Sequence, residues 1–236
     1  MKYIPYGAVG QVTGSRHLLV GETGSVLLDC GMFQGEHERG AALNRELPWP
    51  VKDLLGVILS HGHIDHCGSL PTLVKSGFRG KIFATKATRD VAELMLYDTA
   101  KIQTADYEYR LKHSPEMAQQ HLPIYNDDDV AQTMERFETV EYGECRKISP
   151  EFEFCFFNSG HILGSAAVHM SLKTAKGLVR LAYTGDLGKR EMPILNGPEG
   201  LPPTDILLTE TTYGNRVHED MAEAEELMIK IVNEAI

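Results

Sequence analysis

The sequence predicts a layered α/β fold, and three observations predict it. Apolar runs of strand length recur along the chain: Val26-Leu27-Leu28, Val57-Ile58-Leu59, Phe154-Cys155-Phe156-Phe157, Leu178 to Tyr183 and Ile206-Leu207-Leu208. Helical patterns fill the spaces between them. Each run also ends at a residue able to do chemistry: Asp29, the cluster from His61, His161, Asp186 and Glu210. In layered α/β proteins ligands gather where loops leave the strand ends. Five strands delivering these residues to one sheet edge predict an active site there.

Among the helices, Thr88 to about Lys112 reads as helical, with Val91, Leu94 and Met95 on an apolar side. A shorter helix is expected from Cys67 to about Lys75, with Asp65 and His66 at its start. Asn126-Asp127-Asp128-Asp129 reads as a helix start before Val130 to Phe137, its acids suited to the positive end of the helix dipole. The three aspartates are therefore read as a solvated cap and not as a metal site. Asn196 to Pro203 reads as a loop and as a candidate boundary. From Glu219 to Ile236 the residues Met221, Ala224, Leu227, Met228, Ile231, Val232 and Ala235 fall on one helical stripe, which needs something to pack on. Glycines 31, 62, 160, 164, 185 and 188 flank the strand ends, as tight turns require.

The stretch His61-Gly62-His63-Ile64-Asp65-His66 carries the most chemistry in the least sequence. Three of the chain's ten histidines fall within it. Residues two apart on an extended segment point the same way, so His61 and His63 can grip one metal. Asp65 and His66, at a helix start, would face a second. A single His-x-His is usually incidental; the full cluster after a buried strand predicts a dinuclear site and hydrolysis by a metal-activated water. His17, His37, His113, His121 and His169 lack partner spacing and are read as structural or surface residues.

Composition narrows the function classes. The 236 residues make one large domain, or one domain and part of another, with 42% hydrophobic residues. No apolar run approaches the ~18 residues of a membrane helix, and the first residues lack the apolar core of a signal peptide. A cytoplasmic protein with no membrane partner is expected. The four cysteines form no Cys-x-x-Cys pair and are read as free thiols, with Cys30 and Cys67 in packing roles. A net charge of −10 argues against a module that binds nucleic acid through a basic surface. It does not argue against an enzyme acting on phosphodiesters, because bound divalent cations invert the local field.

With these residues placed, the chain resembles the metallo-β-lactamase superfamily, specifically its β-CASP branch of RNA-processing nucleases. The superfamily's motifs match Leu28-Asp29-Cys30-Gly31, the His61 to His66 cluster, Ser159-Gly160-His161-Ile162-Leu163-Gly164-Ser165-Ala166 and Tyr183-Thr184-Gly185-Asp186. The branch is carried by Met32-Phe33-Gln34-Gly35 and by Glu210-Thr211-Thr212-Tyr213-Gly214-Asn215-Arg216-Val217-His218. The latter resembles the acidic motif that opens the β-CASP part in cleavage-and-polyadenylation endonucleases and their bacterial relatives.

The resemblance implies a four-layer αββα sandwich, incomplete at its C-terminus, with a metallo-β-lactamase part over residues 1–208 and the start of a β-CASP part over 209–236. It implies a zinc held by His61, His63 and His161, a second held by Asp65 and His66, and Asp186 bridging both; manganese or iron are alternatives. Asp29 would orient a ligand histidine. Glu210 would position a histidine that protonates the leaving oxygen, and Arg216 and His218 would contact substrate. The expected activity is hydrolysis of phosphodiester bonds in single-stranded RNA, with Asp65, Asp186 and Glu210 catalytic. The family's members run longer and supply two further histidines, one as general acid and one completing the second zinc site, so the second site is expected to be incomplete here and the chain to be a fragment, a truncated product or one half of a split protein. A homodimer or a complementary C-terminal β-CASP segment is the expected partner. The alternatives are a thioesterase or other small-molecule hydrolase of the same fold, and a non-catalytic half.

Overall fold

A computed structural model describes residues 1–35, 37–190, 194–216 and 221–235. Its strands divide between two sheets. The first contains β1 (Lys2–Pro5), β2 (His17–Val20), β3 (Ser25–Leu28), β4 (Leu54–Ile58), β5 (Lys81–Ala84) and β6 (Phe137–Thr139), in that spatial order. The β1–β2 and β2–β3 pairs are antiparallel; β3 to β6 run parallel. The second sheet has the order β11-β10-β9-β8-β7, from β7 (Cys145–Lys147), β8 (Phe152–Asn158), β9 (Ala166–Thr174), β10 (Gly177–Tyr183) and β11 (Ile206–Leu208). Only β10–β11 is parallel there.

Seven helices complete the described residues: α1 (His37–Arg45), α2 (Ile64–Cys67), α3 (Leu70–Lys75), α4 (Lys86–His113), α5 (Pro115–Ala118), α6 (Asp127–Met134) and α7 (Met221–Ala235). Strand alternation sorts the apolar residues into two cores. Leu27 and Val57 face a helical layer that supplies Leu70, Leu73, Leu96 and Val130. Val26, Leu28 and Ile58 face the second sheet, whose Phe152, Phe154, Phe156, Val168 and Met170 fill the space between the sheets. This is an α/β fold with two mixed sheets and flanking helices, as the resemblance implies. The helix–sheet–sheet layers of the expected sandwich are present.

Several sequence expectations need correction. The five site-bearing strands do not share one sheet. β3 and β4 lie in the first, β8, β10 and β11 in the second, and it is their stacked C-terminal edges that meet. Alternation marks an apolar face without saying which sheet it joins. The expected Cys67–Lys75 helix is two helices, because Pro71 at the start of α3 lacks an N–H and its ring would clash with the carbonyl of residue 67. The helix expected to reach Phe137 ends at Met134, and Phe137 pairs with Ile82. Asn126 does cap α6, in a reciprocal capping box with Asp129. Residues 196–203 form no regular element, yet they are no boundary, since β11 returns to the second sheet after them.

The cysteine reading is half corrected. Cys145 and Cys155 are direct cross-strand partners on β7 and β8 and form a disulfide. Hairpin register brings them together, with no signature in the spacing. Cys30 and Cys67 are free and buried, as expected. The amphipathic stripe of α7 is exposed, with Leu227, Met228, Ile231 and Val232 open to solvent. Among the described residues no helix is long and apolar enough to cross a membrane.

Candidate metal centre

β4 runs out of the core at Ile58, and the three residues after it carry His61 into the edge between the sheets. Gly62 follows, and it is required there: a Cβ would stand 2.6 Å from Val91 of α4. The chain turns at His63 and enters α2, which places Asp65 and His66 on its first turn. From the second sheet, β8 delivers His161 and β10 delivers Asp186. The backbone is locked at that crossing, since a Cβ on Gly188 would lie 1.7 Å from the Gly160 carbonyl oxygen.

His61, His63, His161 and Asp186 converge, with one ligand-capable atom from each lying within 4.8 Å of all the others. The ring nitrogens His61 Nε2 and His63 Nδ1 approach to 3.0 Å, and His161 Nε2 and His63 Nδ1 to 3.2 Å. Asp186 Oδ2 stands 3.4 Å from His161 Nε2 and 3.7 Å from His61 Nε2. Three imidazoles and a carboxylate aimed at one point form a His/Asp metal-binding cluster, and this donor set fits a borderline-soft divalent ion such as zinc. The other oxygen of Asp186, Oδ1, lies 3.3 Å from His66 Nε2, which is 3.7 Å from Asp65 Oδ2. Asp186 therefore faces two groups of donors at once.

The buried carboxylate of Asp29 organises both groups. It accepts from Ser60 N (2.7 Å), Ser60 Oγ (2.8 Å), His66 Nδ1 (2.7 Å) and Tyr183 Oη (2.5 Å). The backbone there is left-handed, with φ 57°, a conformation non-glycine residues hold only when their surroundings impose it. Because His66 Nδ1 donates to a carboxylate, its Nε2 is left to face Asp186 and Asp65. Ser60 Oγ gives its proton to Asp29 and therefore accepts from His61 Nδ1 at 3.0 Å, which leaves His61 Nε2 free to face the cluster.

Electrostatics follow this wiring. Burial pushes the His66 pKa down, but Asp29 and Asp186 outweigh it and hold His66 at about 10. Burial, reinforced by His66, His63 and His161, drives His61 well below its ordinary value. Burial also lowers His63, with His161 adding to the effect. Asp186 is opposed by burial, yet contact with His66 and the charges of His161 and His63 bring its carboxyl below the usual range. Burial raises the Cys30 thiol to about 12, consistent with a packing role.

Glu210 lines a cleft of about 620 Å³ whose walls also include His66, Tyr183 and Asp186. Its carboxylate accepts from Leu187 N at 2.7 Å and from Thr212 Oγ1 at 2.6 Å. Arg216 stacks its guanidinium 4.8 Å over the Tyr213 ring and is not among the residues lining the cleft. His218 lies outside the described residues. Sequence reasoning missed Ser60 and Tyr183, both ordinary residues in type. Their only linear signal is position: each stands beside a motif residue at a strand end. His17, read as isolated, is buried and lines the same cleft.

Comparisons with known proteins agree with this geometry. Residues 10–99 match the metallo-beta-lactamase superfamily. The whole chain is 35% identical to a ribonuclease of Thermus thermophilus and spans 49% of that protein. It is 33% identical to the transcription termination factor FttA of Cenarchaeum symbiosum over 98% of this chain and 34% of that one. The cleavage and polyadenylation specificity factor 73 of Drosophila melanogaster is 31% identical over 98% of this chain and 31% of its own length. The chain thus spans half or less of these relatives. A metallo-β-lactamase of Cronobacter sakazakii superposes with a TM-score of 0.53 at 17% identity, covering 95% of this chain and 78% of that one. The subclass B3 enzyme BJP-1 of Bradyrhizobium japonicum gives 0.51 at 12% identity, covering 95% and 89%. The chain belongs to the metallo-β-lactamase superfamily, on the β-CASP branch to which its motifs point.

Proposed function

We propose that the chain carries the metal centre of a hydrolase that cleaves phosphodiester bonds in single-stranded RNA, with two zinc ions. One observation supports the two-ion reading most: the two oxygens of Asp186 face separate donor groups, His61 with His161 on one side and His66 on the other. His61, His63 and His161 would hold one ion, Asp65 and His66 the second, and Asp186 both. When bound, such ions lower the pKa of an attacking water toward ~7 and offset charge building on the phosphoryl oxygens. The chain's own residues do the rest. Asp29 and Ser60 engage the Nδ1 atoms of His66 and His61, so that each Nε2 faces the centre, and on His66 an ion would displace the Nε2 proton. Asp186 is positioned by the Gly188–Gly160 backbone contact two residues on. Glu210, held by Leu187 N and Thr212, lines the same cleft beside Asp186, where it would position a proton donor for the leaving oxygen.

RNA as substrate is supported by the ribonuclease among the relatives and by the Glu210 to His218 motif. The test is cleavage of labelled single-stranded RNA by the zinc-loaded chain, with Asp65→Ala as control. Cleavage by the chain and its loss in the control is the expected result. Turnover of an acyl-glutathione thioester without RNA cleavage would replace this reading with the small-molecule hydrolase.

A further inference from the structure

The cleft that holds His66, Asp186 and Glu210 has a wall with no part in the metal chemistry. It is built from Tyr3 on β1 and from Ala8 to Val12 in the loop between β1 and β2. Val9 and Val12 are 63% and 67% exposed, and Tyr3 is 39% exposed. Exposed apolar side chains gathered on one wall of a cleft mark a surface suited to a ligand.

The loop is built and held. Its neck is closed by Tyr6 N donating to Arg16 O at 2.8 Å, and a Cβ on Gly7 would stand 1.9 Å from the Gly14 carbonyl oxygen. Thr13 Oγ1 and Gln34 N are joined at 3.1 Å, which ties the loop to the segment that follows Asp29. Ala8 sits at φ 52° and Gly10 at φ 67°, left-handed positions that fix the direction of the tip. Tyr3 is aimed in the same way. Its ring lies nearly parallel to that of His17, with centroids 5.9 Å apart, and its hydroxyl meets His17 Nδ1 at 2.8 Å. Tyr3 also borders the cleft.

We propose that Tyr3, with Val9 and Val12, forms a base-binding subsite that holds a nucleobase next to the scissile phosphate. This rests on the phosphodiester reading above and adds to it how the chain would recognise a nucleotide as more than a polyanion. A planar aromatic ring and aliphatic side chains lining one cleft suit the flat, apolar face that all bases share, so the subsite favours single-stranded chains with little regard to sequence. An acidic protein, with net charge −10, gains little from charge alone, which makes base contacts the available source of affinity.

The test is binding of a labelled single-stranded RNA to the metal-free chain, in which the proposed cleavage does not proceed, followed by fluorescence anisotropy. Inorganic polyphosphate, which carries the charge without bases, serves as competitor. Tyr3→Ala should raise the Kd for RNA about tenfold, while Tyr3→Phe stays within about twofold of the parent. Polyphosphate should compete weakly and to the same extent with all three. Val9→Ser combined with Val12→Ser, uncharged changes at exposed positions where folding is not at stake, should weaken RNA binding and leave polyphosphate competition unchanged. Unchanged RNA affinity in Tyr3→Ala and in the double variant overturns the proposal. So does an equal loss in Tyr3→Phe, which would assign the effect to the hydroxyl contact with His17. A parent chain that binds no RNA, metal-free or zinc-loaded, removes the RNA reading itself before any variant is compared.

Discussion

Asp29 shows how much one side chain can organise. It is fully buried, left-handed, and receives four hydrogen bonds that reach His66 directly and His61 through Ser60. An amide in its place keeps the shape but turns one acceptor into a donor. Asp29→Asn should therefore lower zinc affinity by about 10–100-fold, measured by competition with a chromophoric chelator; parent-like affinity would separate Asp29 from the centre. His66 gives a pH signature. Its pKa of about 10 in the metal-free fold lies above the ~6.5 of an unfolded chain. The stabilisation this carries is full below pH ~6.5 and is lost as pH rises through the folded value. The thermal midpoint of the metal-free chain should accordingly fall from pH 7 to pH 10. Zinc affinity should rise over the same range, because the ion binds the neutral imidazole and displaces a proton. A midpoint that rises with pH would contradict the pairing of His66 with Asp29 and Asp186.

Between elements, the join that matters is the one between α4 and the loop carrying His161. Thr85 caps α4 by accepting from Thr88 N at 3.1 Å, and its hydroxyl donates to the Gly164 carbonyl at 2.7 Å, as does that of Thr88. The cap of a first-sheet helix thereby fixes a second-sheet loop. Thr85→Ala should cost about 1–2 kcal/mol and lower the thermal midpoint by roughly 2–8 °C, with a parallel loss of zinc affinity. A midpoint drop with unchanged affinity would limit Thr85 to the helix. The element scale is also where sequence reading reached its limit. The strand ends were legible because apolar runs stop at Asp29, His61, His161, Asp186 and Glu210. The pairing of strands was not. Neither the division into two sheets nor the Cys145–Cys155 bridge has a local signal, because both depend on register between segments. Ser60 and Tyr183 were hidden for the same reason: Tyr183 meets Asp29 across 154 residues of sequence.

Across the whole molecule, two sheets each contribute half of a site that neither holds alone. The inter-sheet core of Phe152, Phe154, Phe156 and Ile58 brings their edges into register, and Ala166 N donating to Ser60 O at 2.8 Å bonds them at the site itself. The exposed apolar stripe of α7 stands apart from this assembly. The most direct test of the account is the zinc content per chain, by elemental analysis, for the parent and for Asp186→Ala. Asp186 reaches both donor groups, so two ions are expected in the parent and fewer than two in the variant. A single ion in the parent, or two retained in Asp186→Ala, would contradict the two-sided centre on which the proposed hydrolysis rests.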